Sequence, residues 1–371
     1  MHTPALGTHV RSFCFSQVND GLALVGAGAR GLGHGHGHGP GGSGRLVLGH
    51  AFWVAVHSAL GTMKGLEYLV LYDASFANSW VLDAVGAEGG GAEEEEEKGL
   101  SGCGVIETKL RFRWDEHVVK FLERQKKLAM VQVQAPEYGV AMQQSLHHSQ
   151  GRLGGLLELP LATGSLPVLR IFDGTLGAGL EVVRAGAPVT NLQVVVNREA
   201  MDAGDEVDSC EGLEEDVRMF AKVGKTLKSL NLIDVPEEMV GKVVSVLAAV
   251  CPGLVYLGLL PLPVLNVSFF FVIIHVLLLS YIFQRQQLTY ALMSLRSLRH
   301  VHLDISKWLP HPHTGAQRAL AAEMKVYCPS IRHVSFWYHS TRFRWHYSQE
   351  QWNPQVDNHQ HPQLDQTWSL I

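Results

Sequence analysis

The segments AAVCPGLVYLGL (248–259) and KVYCPSIRHVSF (325–336) follow one order. Each closes a helical stretch, passes through Cys-Pro, and enters a run with apolar residues at its first, fourth and sixth positions. How this pattern is read decides the fold. The alternation within the run is that of a half-buried strand, and the preceding stretch has helical spacing. One such unit leaves its own apolar face uncovered, so a repeat of it predicts stacking.

The strand pattern recurs along the chain. LEYLVL starts at Leu66, LAMVQV at Leu128, LPVLRI at Leu166 and VTNLQV at Val189. LKSLNL starts at Leu227, LVYLGL at Leu254, LRHVHL at Leu298 and IRHVSF at Ile331. VRSFCF at Val10 reads as an earlier copy, and TKLRFRW (108–114) as a further strand with simple alternation. Amphipathic helices are expected between them at 115–125, 236–250, 286–297 and 316–327. Asp234, Pro236, Glu237 and Glu238 give the second of these a helix start. A strand and a helix repeating every 20–40 residues predict an α/β fold, an irregular leucine-rich-repeat solenoid with a curved parallel sheet and helices on its convex side. An ordinary α/β domain is the competing reading.

Composition narrows the class. In 371 residues the apolar content is 46%, enough for a sizeable core, and the net charge of −5 argues against nucleic acid as the main partner. The opening MHTPALGTHVRSF lacks the basic end and apolar run of a secretory signal. Five widely spaced cysteines (Cys14, Cys103, Cys210, Cys251 and Cys328) with no CxxC read as free thiols in a reducing compartment, cytoplasmic or nuclear.

Several motifs carry no chemistry. Gly26, Gly28 and Gly31 match GxGxxG, but the continuation LGHGHGHGPGGSG cannot open the helix that a pyrophosphate requires. VGKT (223–226) has Met219 where a phosphate loop needs glycine; Leu213, Val217, Phe220 and Ala221 instead share a helix face that Gly224 terminates. His34, His36 and His38 alternate with glycine without a fixed geometry, so no metal site is expected. There is no GxSxG and no HExxH; the chain reads as non-enzymatic, without cofactor.

VLNVSFFFVIIHVLLLSYIF (264–283) stands apart: sixteen of its twenty residues are apolar and none is charged. Length and composition fit a single-pass membrane helix. Yet removing Val264 through Gln284 brings the 44-residue spacing between Leu254 and Leu298 to 23, the spacing of Leu166 and Val189, and joins two ordinary repeat units. Such a segment also matches translated pyrimidine-rich RNA, so a retained intron or gene-model error is one reading. A membrane span and a buried core helix are the others. A span would put repeats of one solenoid on opposite sides of a bilayer.

The domain expectation follows. Residues 1–25 hold a first strand copy and 26–45 a Gly/His-rich disordered loop. Residues 46–350 form the repeat array, with an acidic loop at 86–99 and the foreign apolar insertion at about 264–284. Residues 351–371 are a C-terminal cap or tail, an aromatic and basic stretch whose other reading is a single-stranded nucleic-acid surface.

The stretches LRFRWDEHVVKFLERQKKLAMVQVQ (110–134), LPVLRIFDGTLGAGLEVVRAGAPVTNLQVVV (166–196) and ISKWLP…YCPSIRHVSFW (305–337) resemble the divergent leucine-rich-repeat region of fungal F-box proteins. The similarity spans roughly residues 50–350 and rests on pattern. It implies the substrate-recognition half of a cullin-type ubiquitin ligase, with an unknown protein target. No F-box is found ahead of the first strand copy, so a ligase adaptor is implied as a partner only if one lies upstream.

In such arrays the exposed strand positions line a concave binding surface. Alternation assigns to it Tyr68 and Tyr72; Lys109, Arg111 and Arg113; His300, His302 and Asp304; and His333, Ser335 and Trp337. Arg, Tyr and Trp are the residue types enriched at binding hot spots. The function expected is therefore protein binding, with a single-pass membrane protein of unknown role as the alternative.

Overall fold

The computed structural model describes residues 10–18, 21–23, 48–73, 75–86, 104–133, 159–196, 206–263, 274–339, 341–358 and 366–371. Of these, 17–18, 21–23, 206–211, 274–283 and 356–358 are described as backbone only. The loop 26–45, the GxGxxG glycines, nearly all of the acidic loop 86–99 and residues 264–273 lie outside the described residues. The chain is mixed α/β and divides into two compact units, Met1–Arg152 with Glu158–Leu169, and Leu153–Leu157 with Arg170–Ile371.

The first unit holds β1 (Ser12–Val18), β2 (Gly21–Ala23), α1 (His50–Thr62), β3 (Tyr68–Tyr72), β4 (Glu107–Arg111), α2 (Glu116–Arg124) and β5 (Met130–Val133). Its strands run in the order β5-β4-β3-β1-β2, parallel except for the β1–β2 hairpin. Leu66, Leu69 and Leu71, then Leu128, Val131 and Val133, are the first, fourth and sixth residues of their copies, and all are buried. A fully buried Leu or Val contributes about 1.5–3 kcal/mol, so the pattern that specifies the strand also supplies its packing. The Asp115 carboxylate caps α2 by accepting from the His117 and Val118 amides, both at 3.1 Å.

The second unit holds β6 (Ile171–Thr175), α3 (Leu176–Arg184), β7 (Asn191–Val195), α4 (Glu206–Arg218), β8 (Ser229–Ile233), α5 (Val240–Val250) and β9 (Tyr256–Pro261). Then follow α6 (Ile274–Ser294), β10 (His300–Asp304), α7 (Thr314–Tyr327), β11 (His333–Tyr338), β12 (Thr341–Ser348) and β13 (Gln351–Asn358). Strand order follows chain order from β6 to β13. Strands β6 to β11 are parallel, and β12 and β13 continue the sheet antiparallel. Sequential parallel neighbours joined by right-handed crossovers place their helices on one face.

Three details differ from the sequence pattern. The copy expected at Leu166 begins at Leu169: Leu169 and Phe172 are the buried equivalents of Val189 and Leu192, because β6 pairs Phe172 with Leu192. In β9 the register shifts between Val301 and Leu303, Leu259 takes a φ of 53°, and Leu260 fills the core place expected of Leu259. Ala221 is exposed, because Met219–Lys222 tightens into a 3-10 turn and rotates it off the face of Leu213, Val217 and Phe220.

Among the described residues no helix is long and apolar enough to cross a membrane, and residues 264–273 of the span read at 264–283 lie outside the described residues. Helix α6 begins at Ile274, twelve residues before the helix expected at 286–297, and continues through Arg285 to Ser294. Its second half is amphipathic. Leu288, Ala291 and Leu292 are buried where α6 packs against α5 and α7, and Arg285 pairs with Glu323 of α7 at 2.5 Å. A β-carbon on Gly241 of α5 would lie 2.9 Å from the Gln287 side-chain oxygen, so glycine there permits the close approach of α5 and α6.

Candidate partner-binding face

The expected face residues fall into two groups, one on each unit. In the first unit Tyr68, 43% exposed, heads β3, and Tyr72 stands beside Arg111 of β4 in register. Lys109 pairs with Glu107 on its own strand at 3.6 Å. The Arg111 guanidinium lies over the Phe76 ring, 5.0 Å from its centroid. Arg113 is exposed but lies beyond the end of β4, which stops at Arg111, so it belongs to the loop that follows the strand.

In the second unit the residues chosen by strand alternation share one face, and several of them are less exposed than expected. His300, His302 and Asp304 point away from the helices, opposite buried Val301 and Leu303. However, His302 is 3% exposed, Ser335 3% and Trp337 1%. These three are interior residues rather than open contact positions. Trp337 lies against the Arg342 guanidinium of β12, 5.3 Å from its ring centroid, and Arg342 is itself buried.

A polar ladder crosses this face, and the individual strand motifs gave no warning of it. Gln193 Nε2 donates to Asp173 Oδ1 at 2.9 Å, and Asn231 Nδ2 donates to Gln193 Oε1 at 2.6 Å. The next strand offers Gly258, where a β-carbon would fall 2.4 Å from Asn231 Oδ1 and 2.5 Å from Tyr256 Oη. The missing side chain lets the Tyr256 ring lie along its own strand, and its hydroxyl meets His302 Nδ1 at 2.9 Å. Asp173, Gln193, Asn231, Gly258, His302 and Ser335 all occupy the fifth position of successive copies. Buried side-chain amides held in series are costly to leave partly satisfied, so such a row favours one register of the strands.

One row nearer the strand starts, three imidazoles stack across β10, β11 and β12. His300 and His333 have ring centroids 4.3 Å apart and planes 3° from parallel; His333 and His346 are 4.5 Å apart at 12°. Burial pushes the His300 pKa down to about 4, aided by His333, Arg299 and His346. Burial also lowers that of His333, with His346 and Arg344 adding to it. Neutral rings stack without repulsion, which is the state this arrangement favours at neutral pH.

The chain covers part of the face itself. A 3-10 turn, Thr367–Leu370, lies against β7 and β8. Asn191 Nδ2 donates to the Trp368 carbonyl at 2.8 Å, while Arg342 of β12 reaches Thr367 Oγ1 at 3.4 Å. Two neighbouring residues thus touch strands that have four others between them. At a strand spacing of about 4.8 Å a flat sheet would hold β7 and β12 too far apart for this. The sheet of this unit therefore bends around the turn.

Among the described residues no group of three or more His, Cys, Asp or Glu side chains is placed to hold a metal ion. Comparison with protein-family models, with curated proteins and with solved structures finds no match to the chain.

Proposed function

We propose that the chain is a non-enzymatic protein-interaction module built as an irregular leucine-rich-repeat solenoid, resembling the substrate-recognition part of a fungal F-box protein. The observation that carries this reading is the helix-free face of β6 to β11. Six parallel strands in sequence order present the same positions of successive copies side by side, and at β10 to β12 the face offers His300, His333, His346 and Arg344, which are not buried. Aromatic and Arg side chains on a preformed, bent surface are the usual anchors of protein recognition. The partner is a protein target, and a ligase adaptor subunit joins it if an F-box lies upstream.

The test is quantitative crosslinking of the tagged full chain in cells, comparing wild type with Arg344→Glu on β12 and with Arg318→Glu on the exposed side of α7. Proteins lost with the first substitution and kept with the second support the reading. Identical sets for all three chains overturn it. Cullin-ligase adaptor subunits among the captured proteins would support the F-box resemblance, and their absence beside a face-dependent target would confine the reading to target binding.

A further inference from the structure

The turn Thr367–Leu370 occupies the helix-free face of β7 and β8 without satisfying it. Trp368 is 3% exposed there, so the turn is seated by its aromatic side chain as well as by the Asn191 bond. On β8, beneath the same turn, Ser229 and Asn231 are nine-tenths buried or more. The Ser229 hydroxyl and the Asn231 carbonyl oxygen have no hydrogen-bond partner among the described residues. Asn231 already spends its amide donor on Gln193, so what its oxygen wants is a donor from outside the ladder. A buried acceptor and a buried hydroxyl left open beside a seated aromatic residue describe a site whose present occupant is incomplete.

We propose that this patch of β7 and β8 is a seat for a tryptophan-anchored segment of another polypeptide, which the chain's own turn fills in cis. The proposal rests on the interaction-module reading and names the partner chemistry. The ligand segment inserts an indole, offers a backbone carbonyl to Asn191 Nδ2, and brings an N–H or O–H donor to Asn231 Oδ1 with a hydrogen-bonding group for Ser229 Oγ. The cis turn supplies the first two and not the others. A segment supplying all of them displaces it.

The probe is a fluorescein-labelled peptide of residues 364–371, LDQTWSLI, added to the full-length chain and read by fluorescence anisotropy. Trp368→Ala removes the anchor of the cis turn, so this variant binds the peptide at least tenfold more tightly than wild type. Adding Asn191→Ala weakens that binding by about fivefold or more, and a peptide with Ala in place of Trp does not bind. A Trp368→Ala chain with the wild-type circular dichroism and urea transition, binding no better than wild type, overturns the proposal.

Should that variant fail to fold, hydrogen exchange on the wild-type chain decides. Excess peptide accelerates exchange at residues 366–371 and leaves α7 unchanged if the seat is shared, and no acceleration overturns it. This readout is separate from partner capture. Peptide binding with identical captured proteins would leave the seat standing and sink the interaction reading. A dead seat with face-dependent capture would do the reverse.

Discussion

Gly224 sits so close under the Val250 carbonyl that a β-carbon would lie 2.0 Å from its oxygen. The contact joins the turn after α4 to the end of α5, and a backbone atom cannot step aside as a side chain can. Gly224→Ala should therefore cost about 2–4 kcal/mol, in the range of overpacked or strained core sites. The check is a urea transition, expected to move to lower denaturant with unchanged slope. A shift below about 0.5 kcal/mol would show that the α4–α5 turn relaxes freely.

The same glycine shows what was legible. VGKT in isolation invites a phosphate loop, and the helical spacing before it correctly reduced Gly224 to a terminator; that another element's carbonyl presses on it is a long-range fact. Strand positions were legible because Leu66, Val189, Leu227, Leu298 and Ile331 each open a copy from a fully buried place. The pattern fails at two copies. The copy at Leu166 was set three residues early, and the bulge at Leu259 exchanged it for Leu260.

On the face, alternation places His300, His302 and Asp304 correctly, since it is a property of the strand. The burial of His302 is set by Tyr256 of the preceding strand and that of Trp337 by Arg342 of the following one, so local pattern gives no access to it. The ladder has a signal in the sequence across copies. Polar or small residues (Asp173, Gln193, Asn231, Gly258, His302 and Ser335) recur at the fifth position of consecutive copies.

Asp115 gives a prediction confined to the first unit. It caps α2 through two backbone amides and accepts from the Ser79 hydroxyl as well. Asp115→Ala leaves those donors without their acceptor and should destabilise the chain by about 1–2 kcal/mol, whereas Asp115→Asn keeps an oxygen at the cap and should lose about half as much or less. Urea transitions of the two variants decide it. Equal losses would show that the carboxylate charge, and not the cap geometry, carries the effect.

The thiols should separate by reactivity. Cys14 is exposed on β1, while Cys251 and Cys328 are buried and all three are free. Burial pushes the Cys251 thiol up to about 12, and Cys328 Sγ donates to the Leu295 carbonyl at 3.3 Å. Since the thiolate is the nucleophile, alkylation by iodoacetamide at pH 8 should label Cys14 at least 100-fold faster than either buried residue. Peptide mass spectrometry over a time course reads this directly, and labelling of Cys251 at the rate of Cys14 would contradict the packing of α5 described above.

The imidazole stack makes stability depend on pH in a stated direction. His300 ionises near 4 when folded and near the ordinary 6.5 when unfolded. Between those values the unfolded chain binds more protons, so stability is fully present above about pH 6.5 and falls as pH drops through the window toward 4. His333 of β11, His346 of β12 and Arg299 on its own chain segment each disfavour the charged ring, and the Tyr256 ring of β9 faces His300 with its centroid 6.4 Å away. His333 shifts in the same direction and adds to the slope. Protonation of one ring alone gives a limiting slope of about 1.4 kcal/mol per pH unit, reduced in practice because the rings are partly exposed. Denaturant midpoints at half-unit steps from pH 7 to 4 should fall for wild type and fall less for His300→Phe, which keeps a flat ring in the stack without a titrating nitrogen. A wild-type curve parallel to that of His300→Phe would mean that acid acts through other groups.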